Sequence, residues 1–283
     1  MTVALLVGAI PSPPENAIGI GPLQLRAYGL AIAFGVLVGV WVAQRRWATR
    51  GGNPADISYL ATWSVIAGLI GARAYHVLTD YDRFQGRWLH AFAVWEGGLG
   101  IPGGLLAGVV TGVVLARRRG LPAAQLLDVV APAIPIAQAI GRLGNWVNQE
   151  LFGRPTNLPW GLRVDVAHRP DSYERFATFH PTFLYEALWN LALAGLLVLY
   201  ERRRPGAPPG TLFALYVGGY GLGRLWVEAL RIDDATRLAG LRVNIWVSLL
   251  AIAASIVALA VLHQRERRAA PPTNDDEPHL AAS

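Results

Sequence analysis

Residues 141–154, GRLGNWVNQELFGR, place six charged or amide side chains at the end of a long apolar run. Gln138, Arg142 and Asn145 share one helical face because they are spaced by four and three residues. A guanidinium fork suits a phosphate group, and side-chain amides can orient hydroxyl or ester oxygens. The pattern therefore indicates a site for a phosphate-bearing ligand.

A second polar stripe lies in YGLGRLWVE, where Tyr220, Arg224 and Glu228 follow one another at spacings of four. On a helix these three side chains form one polar line on an otherwise apolar surface. Two interpretations remain open for the charged pair. Arg224 and Glu228 either neutralise one another within a helix bundle, or they contribute charge to the same site as Arg142.

The composition is that of a membrane protein: 53% of the residues are hydrophobic, only 16% are charged, and the mean hydropathy is +0.34. The net charge of +6 comes from arginines in short clumps between apolar runs. Such clumps are typical of topology signals, so we expect no nucleic-acid binding. The chain has no cysteine. With no metal-ligand spacing and no nucleotide-binding loop in the sequence, we expect neither a metal nor a cofactor.

Seven stretches are long and apolar enough to cross a bilayer, which takes about 20 residues per helix. Arginine clusters follow the first, third, fifth and seventh stretches, which predicts an outside N-terminus and a cytoplasmic C-terminus. Glycine and proline interrupt the third and fourth stretches, as in broken helices that line a cavity. The predicted spans are 27–44, 57–78, 91–116, 125–148, 180–201, 210–231 and 242–263.

The fold class is therefore an all-α polytopic membrane protein with about seven transmembrane helices. We expect one integral-membrane domain, residues 1–263, and a disordered cytoplasmic tail, residues 264–283. The long polar connection at 149–179 predicts a small extramembrane element between helices four and five.

Charged side chains within the spans are the most informative, because an arginine at a helix centre costs about 2.5 to 3.5 kcal/mol. The predicted orientation places Arg73, Arg142 and Arg224 in the outward half. It places Tyr28, Glu96 and His180 at the outer ends of their spans. Six spans thus bring polar groups to one depth near the outer leaflet, although snorkelling side chains could produce part of this clustering.

The motif GRLGNWVNQELFGRPT resembles the signature of the bacterial prolipoprotein diacylglyceryl transferases, a pattern close to G-R-x-G-N-F-x-N-x-E-x-x-G-R. Three further stretches match in order: RAYGL, HPTFLYEALWN and YGLGRLWVEALR. The resemblance covers about residues 20–262. It implies a multi-pass enzyme of the bacterial cytoplasmic membrane that needs no cofactor. Its partners would be phosphatidylglycerol, prolipoprotein signal peptides with a lipobox cysteine, and the lipid bilayer.

The resemblance also implies a reaction, in which the diacylglyceryl group of phosphatidylglycerol becomes thioether-linked to the lipobox cysteine and glycerol phosphate is released. Arg142 and Asn145 would hold the headgroup phosphate, and Arg224 would share its charge. The candidate catalytic residues are Arg142, Arg224, Tyr28, Glu228 and His180. The candidate substrate-binding residues are Arg142, Asn145, Asn148, Glu150, Gly153, Tyr220 and Arg73.

One position departs from the family pattern. Many members carry a histidine in the glycine-rich part of the third stretch, where this chain has Pro102 in GIPGG. Proline cannot accept a proton, so a role of that histidine as general base does not transfer. Our hypothesis is that Arg142 and Arg224 lower the substrate thiol's pKa from roughly 8.5. His180, Glu228 or Tyr28 would then accept the proton.

Two other interpretations are a transporter or flippase for an anionic lipid, and an inert membrane scaffold. Transporters usually bind near the midplane and show paired halves. Here the predicted polar groups lie toward one side, and no internal repeat is visible. A scaffold leaves three arginines within spans unexplained.

Overall fold

The computed structural model describes residues 8–20, 23–92 and 100–269. Glu96, Gly97 and Gly98, and the predicted tail beyond residue 269, lie outside these ranges. All seven apolar stretches contain helix. The helices are α1 Ala27–Ala48, α2 Pro54–Thr79, α3 Ile101–Arg118, α4 Ala123–Val130, α5 Ala133–Val147, α6 Thr182–Arg203, α7 Thr211–Leu230 and α8 Val243–Ala269.

Short antiparallel strand pairs join some of these helices. They are β1 Ala17–Ile20 with β2 Leu23–Arg26, β3 Leu162–Arg163 with β4 Thr178–Phe179, and β5 Arg237–Leu238 with β6 Leu241–Arg242. Within the described residues, five helical segments are long and apolar enough to cross a membrane. They are Ala27–Ala48, Pro54–Thr79, Ala123–Val147, Thr182–Arg203 and Val243–Arg268. The chain is thus a mainly helical, multi-pass type of membrane protein.

The fourth stretch is broken as the sequence indicates. α4 ends at Val130 and α5 begins at Ala133, with Pro132 at the N-cap of α5. Proline has no N–H to donate and its ring clashes with the preceding turn, so the helix restarts there. In the third stretch α3 begins only at Ile101, ten residues later than predicted, with Pro102 in its first turn. Proline is favoured at that position because the first N–H groups of a helix have no intrahelical partner.

Glycines allow α2 and α3 to pack backbone to backbone. A Cβ on Gly103 would lie 2.4 Å from the carbonyl oxygen of Gly71, and one on Gly104 would lie 3.1 Å from that of Gly68. Gly35 on α1 likewise faces the carbonyl oxygen of Ala137 at 2.7 Å. The Gly103–Gly104 pair therefore serves close helix packing, as small residues do in membrane bundles.

The connection between α5 and α6 folds into a small unit built on the β3–β4 pair. A parallel bridge from Ile10 to Leu162 ties the N-terminal segment to it. Its buried cluster consists of Phe152, Leu162, Val164, Phe179 and Phe183. Since Phe183 belongs to α6, this apolar cluster fixes the unit to the end of the helix bundle.

The last helix corrects one predicted boundary. α8 continues to Ala269, so residues 264–269 are helical and not part of a disordered tail. Arg267 and Arg268 lie in the last turn. Cations there interact favourably with the negative end of the helix dipole.

Candidate functional site

A cavity of about 520 Å³ lies among α1, α2, α3, α4, α5 and α7. Most of its wall is apolar, and its polar lining side chains are Tyr28, Ser64, Gln138, Arg142, Asn145 and Tyr220. The end of the cavity that holds Tyr28, Arg142 and Asn145 is called its polar end. Tyr28 is in the first turn of α1 and Asn145 in the last turn of α5. A Cβ on Gly144 would lie 2.6 Å from the Tyr28 ring, so a glycine is needed for this approach. The result is an amphipathic cavity of ordinary ligand-site size.

Arg142 is fixed by two neighbours at this polar end. Its Nη2 lies 2.6 Å from Glu186 Oε1, and its Nη1 donates to Asn145 Oδ1 at 3.1 Å. Asn145 Nδ2 in turn donates to Glu150 Oε1 at 2.8 Å, and Asn148 Nδ2 donates to the same oxygen at 3.3 Å. A continuous chain of contacts thus runs from α6 through α5 to the loop that follows it.

That loop returns Glu150 to Asn145 through a strained turn. Gln149 and Leu151 adopt left-handed backbone conformations, with φ of 52° and 59°. Such conformations cost about 1 to 3 kcal/mol for residues other than glycine and persist where surrounding contacts hold them. Gln149 supplies such contacts, since its Nε2 donates to Asp165 Oδ2 at 2.6 Å and its Oε1 accepts from Asp165 N at 2.8 Å.

Arg224 joins the same network from α7. Its Nη1 lies 3.3 Å from both carboxylate oxygens of Glu186, and its Nη2 lies 2.7 Å from Glu228 Oε2. Glu186 is only 4% exposed. One buried carboxylate on α6 therefore holds an arginine from α5 and an arginine from α7. Arg142 and Arg224 thus meet at Glu186, and Arg224 also forms an ion pair with Glu228, so both interpretations of Arg224 agree with these contacts.

Glu228 is enclosed by cationic and amide donors. It is fully buried, and its Oε1 accepts from Arg242 Nε and, at 3.2 Å, from Asn244 Nδ2. Arg231 Nη1 lies 3.8 Å from Oε2. Glu228 is not among the described residues that line the cavity. This arrangement makes Glu228 the anchor of the α7–α8 connection.

Asp233 completes that anchor outside the helices. It accepts from Arg231 Nε at 2.7 Å and Nη2 at 2.8 Å, and from Arg242 Nη2 at 2.9 Å. Burial alone would raise the pKa of Asp233, but the hydrogen bonds and charges of the two arginines outweigh it and hold the pKa below 3.8. The carboxylate is therefore ionised at neutral pH.

His180 and Gly153 lie in the connection between α5 and α6. His180 Nδ1 is 3.1 Å from Tyr185 Oη, and its carbonyl oxygen accepts from Gly153 N. Burial, then the positive charge of Arg154, lower the pKa of His180 below 6.5. A Cβ on Gly153 would lie 2.9 Å from His180 Cβ, so this glycine serves close backbone packing.

Arg73 occupies a different part of the molecule. Its Nε donates to the carbonyl oxygen of Ala91 at 2.8 Å, its Nη2 donates to that of His90, and its guanidinium stacks on the Phe84 ring. Arg73 is 7% exposed. These contacts tie the end of α2 to residues 84–91, and Arg73 is not among the described residues that line the cavity, so its substrate-binding role stays a prediction.

Four residues of this network were not predicted from the sequence: Glu186, Arg231, Arg242 and Asn244. The signal for Glu186 was present in HPTFLYEALWN, because an acid within a span needs a partner as much as an arginine does. Spacing along one helix cannot show which residues of three different helices meet. Among the described residues, no group of three or more histidine or acidic side chains could hold a metal ion.

Comparison with known proteins places this architecture in a family. A sequence model of prolipoprotein diacylglyceryl transferase matches residues 15–261. The chain is 48% identical to a phosphatidylglycerol–prolipoprotein diacylglyceryl transferase of Frankia alni, covering 92% of this chain and 69% of the relative. It is 47% identical to such a transferase of Streptomyces coelicolor, covering 90% of this chain and 81% of the relative. It is 46% identical to one of Cutibacterium acnes, covering 91% of this chain and 88% of the relative. The chain therefore belongs to the prolipoprotein diacylglyceryl transferase family.

Proposed function

We propose that this protein transfers the diacylglyceryl group of phosphatidylglycerol to the lipobox cysteine of prolipoproteins. The observation that carries the proposal is the position of Arg142 at the polar end of an apolar cavity, tied through Glu186 to Arg224. A lipid with an anionic headgroup fits this cavity, because its headgroup can bind at the polar end and its acyl chains can lie along the apolar wall. The relatives are named as transferases, which supports this activity over lipid transport.

The proposed topology has seven spans, an outside N-terminus and a cytoplasmic C-terminus in the bacterial cell membrane. α4 and α5 together form one span, and α3 and α7 are the two shorter ones. Its support is the arginine bias, since basic residues occupy the last turns of α1, α3, α6 and α8. In this orientation Arg142 and Tyr28 face the outer leaflet, where preproteins display the lipobox.

The two site arginines can hold a phosphodiester. Arg142 and Arg224 both contact Glu186, and Arg224 also pairs with Glu228, so a phosphate would compete with Glu186 for the two guanidinium groups. Glu150 accepts its hydrogen bonds from Asn145 and Asn148. A phosphatidylglycerol phosphate would bring one negative charge to the arginines, and Asn145 would orient its oxygens.

The arginines act on the leaving group during transfer. The thiol sulfur attacks the glycerol C3 of the lipid, a carbon–sulfur bond forms, and the bond from C3 to the phosphate oxygen breaks. The electron pair of that bond leaves with glycerol phosphate, whose phosphate gains a second negative charge. Two guanidinium groups in a site of low dielectric stabilise the growing charge, and loss of one such donor typically costs about 100- to 1000-fold in rate.

The thiol proton needs an acceptor other than residue 102. Tyr28 lines the cavity beside Arg142. His180 lies in the connection before α6 and is not among the described lining residues, and its lowered pKa favours a neutral ring. Glu228 is enclosed by arginines, so we assign it a positioning role. An undiminished rate in a Tyr28→Phe, His180→Gln, Glu228→Gln triple variant would refute all three as acceptors.

The direct test uses purified protein in detergent, phosphatidylglycerol, and a synthetic lipobox peptide with one cysteine. We expect mass spectrometry to detect a thioether-linked diacylglyceryl adduct. The adduct should vanish with Arg142→Ala and persist with Arg117→Ala, a matched change at the exposed cytoplasmic end of α3. Absence of the adduct from folded wild-type protein would contradict the proposal, and transport of anionic lipid between leaflets would then be tested.

A further inference from the structure

The cavity extends much deeper than a headgroup site requires. Along α1 its lining runs from Tyr28 to Ala43. These 15 residue steps span roughly 22 Å at the rise of an α-helix. One leaflet contributes about 15 Å, half of a hydrocarbon core about 30 Å thick. The cavity therefore passes the depth at which the outer leaflet ends.

Small side chains line the deep part of the cavity. On α1 the lining includes Gly39 and Ala43, and on α3 it includes Gly108, Gly112 and Ala116. A Cβ on Gly39 would lie 3.2 Å from Ala137 Cβ of α5, and a Cβ on Gly112 would lie 3.0 Å from Ser64 Oγ of α2. These glycines therefore allow close packing of the helices that form the wall of the cavity.

The cavity also has a closed floor. Six of its lining residues belong at the same time to a buried apolar cluster: Ala43, Ile57, Leu60, Ala116, Leu126 and Ala133. They come from α1, α2, α3, α4 and the first residue of α5, so five helices meet where the cavity ends. Interiors packed in this way resist added volume.

From these features we propose that the floor limits the length of the donor lipid's acyl chains. This inference rests on the proposed function, because Arg142 fixes one end of the lipid and the chains must then extend along the apolar wall. Chains that fit within the cavity are accepted, and chains that reach the floor must push against a packed core. An added methylene in a well-fitted apolar pocket changes discrimination by about tenfold or more.

Two neighbouring valines on α3 provide a matched test. Val113 lines the cavity, whereas Val114 is 40% exposed on the outer surface. The assay compares kcat/KM for dimyristoyl, dipalmitoyl, distearoyl and diarachidoyl phosphatidylglycerol. We expect Val113→Phe to lower the ratio of distearoyl to dimyristoyl activity by about tenfold or more. Val114→Phe should keep the wild-type ratio.

A third variant tests the opposite direction. Leu126→Ala removes part of the floor and should shift the preference toward diarachidoyl lipid. The same chain-length profile in Val113→Phe and Val114→Phe would overturn the inference while leaving the transferase activity in place. An equal loss for every chain length in folded Val113→Phe would also overturn it. No adduct from wild-type protein with any of the four lipids would instead contradict the proposed function.

Discussion

Replacing Glu186 by glutamine removes a carboxylate that both Arg142 and Arg224 contact. The ion pairs measure 2.6 Å to Arg142 and 3.3 Å to Arg224. With an effective dielectric constant of about 20, these distances correspond to roughly 6 and 5 kcal/mol of gross attraction. The desolvation of all three groups offsets much of this, and removing one partner of a buried pair costs about 3 to 5 kcal/mol.

We expect Glu186→Gln to lie near the lower limit, about 3 kcal/mol, because glutamine keeps one acceptor oxygen and the arginine side chains are 17% and 13% exposed. The two guanidinium groups would lose their common position, so kcat/KM should fall about 100-fold. Thermal unfolding in detergent measures the stability. The lipobox peptide assay with mass spectrometry measures the rate.

Glu201 provides the control on the same helix. It also joins two arginines, Arg46 at 2.9 Å and Arg50, but its side chain is 28% exposed and it lies in the last turn of α6. Glu201→Gln should cost less than about 1 kcal/mol and change the rate less than about fivefold. An active Glu186→Gln protein, or an equal loss of rate in both variants, would refute the view that Glu186 positions the site arginines.

Three further substitutions test other parts of the structure. Arg73→Gln should lower the melting temperature, because Arg73 donates to the backbone carbonyls of Ala91 and His90. Arg73 is not among the described residues that line the cavity, so the kcat/KM of the folded protein should stay within about tenfold of wild type, and a loss like that of Arg142→Ala would support its predicted substrate role. If His180 accepts the thiol proton, the wild-type rate should fall as the pH drops through a pKa below 6.5, because the ring is neutral only above that pKa. His180→Gln should then remove this decrease of the rate at low pH. A pH profile that is unchanged in His180→Gln would exclude the role. Gly103→Val should destabilise the protein by about 3 kcal/mol or more, because a Cβ there would lie 2.4 Å from a carbonyl oxygen. Gly195→Ala should not destabilise it, because a Cβ at residue 195 would have open space around it. Equal melting temperatures of the two variants would contradict the packing role of Gly103.

Much of the helical architecture could be predicted from the sequence because apolar length is a local property. The seven stretches, and the break at Pro132, follow from composition and proline chemistry alone. The end of α8 was predicted too early, because HQRERR is polar enough to resemble a tail although its residues are good helix formers. The polar residues of this segment indicate exposure to water, but they do not indicate that the helix has ended.

The site was predicted only in part, because residue spacing along one helix does not identify the contacts between helices. Arg142 and Asn145 are three residues apart, so their hydrogen bond is local and predictable. Glu186 is 44 positions away from Arg142 in the chain, and Arg242 is 14 positions after Glu228. These partners become visible only when the bundle is assembled. Arg73 is a similar case, because it donates to the carbonyl oxygen of Ala91, 18 positions later in the chain.

The two charge clusters on α6 hold both ends of the helix bundle together. At its N-terminal end Glu186 ties α6 to α5 and α7, and at its C-terminal end Glu201 ties α6 to α1. Asp128 on α4 adds a further tie, because it accepts from the N–H groups of Gly210 and Phe213 at the start of α7. The apolar wall of the cavity lies between these ties. Under the proposed function, a lipid in the cavity would meet apolar surface along its chains and Arg142 at its headgroup, so binding would orient the phosphate before any chemistry begins.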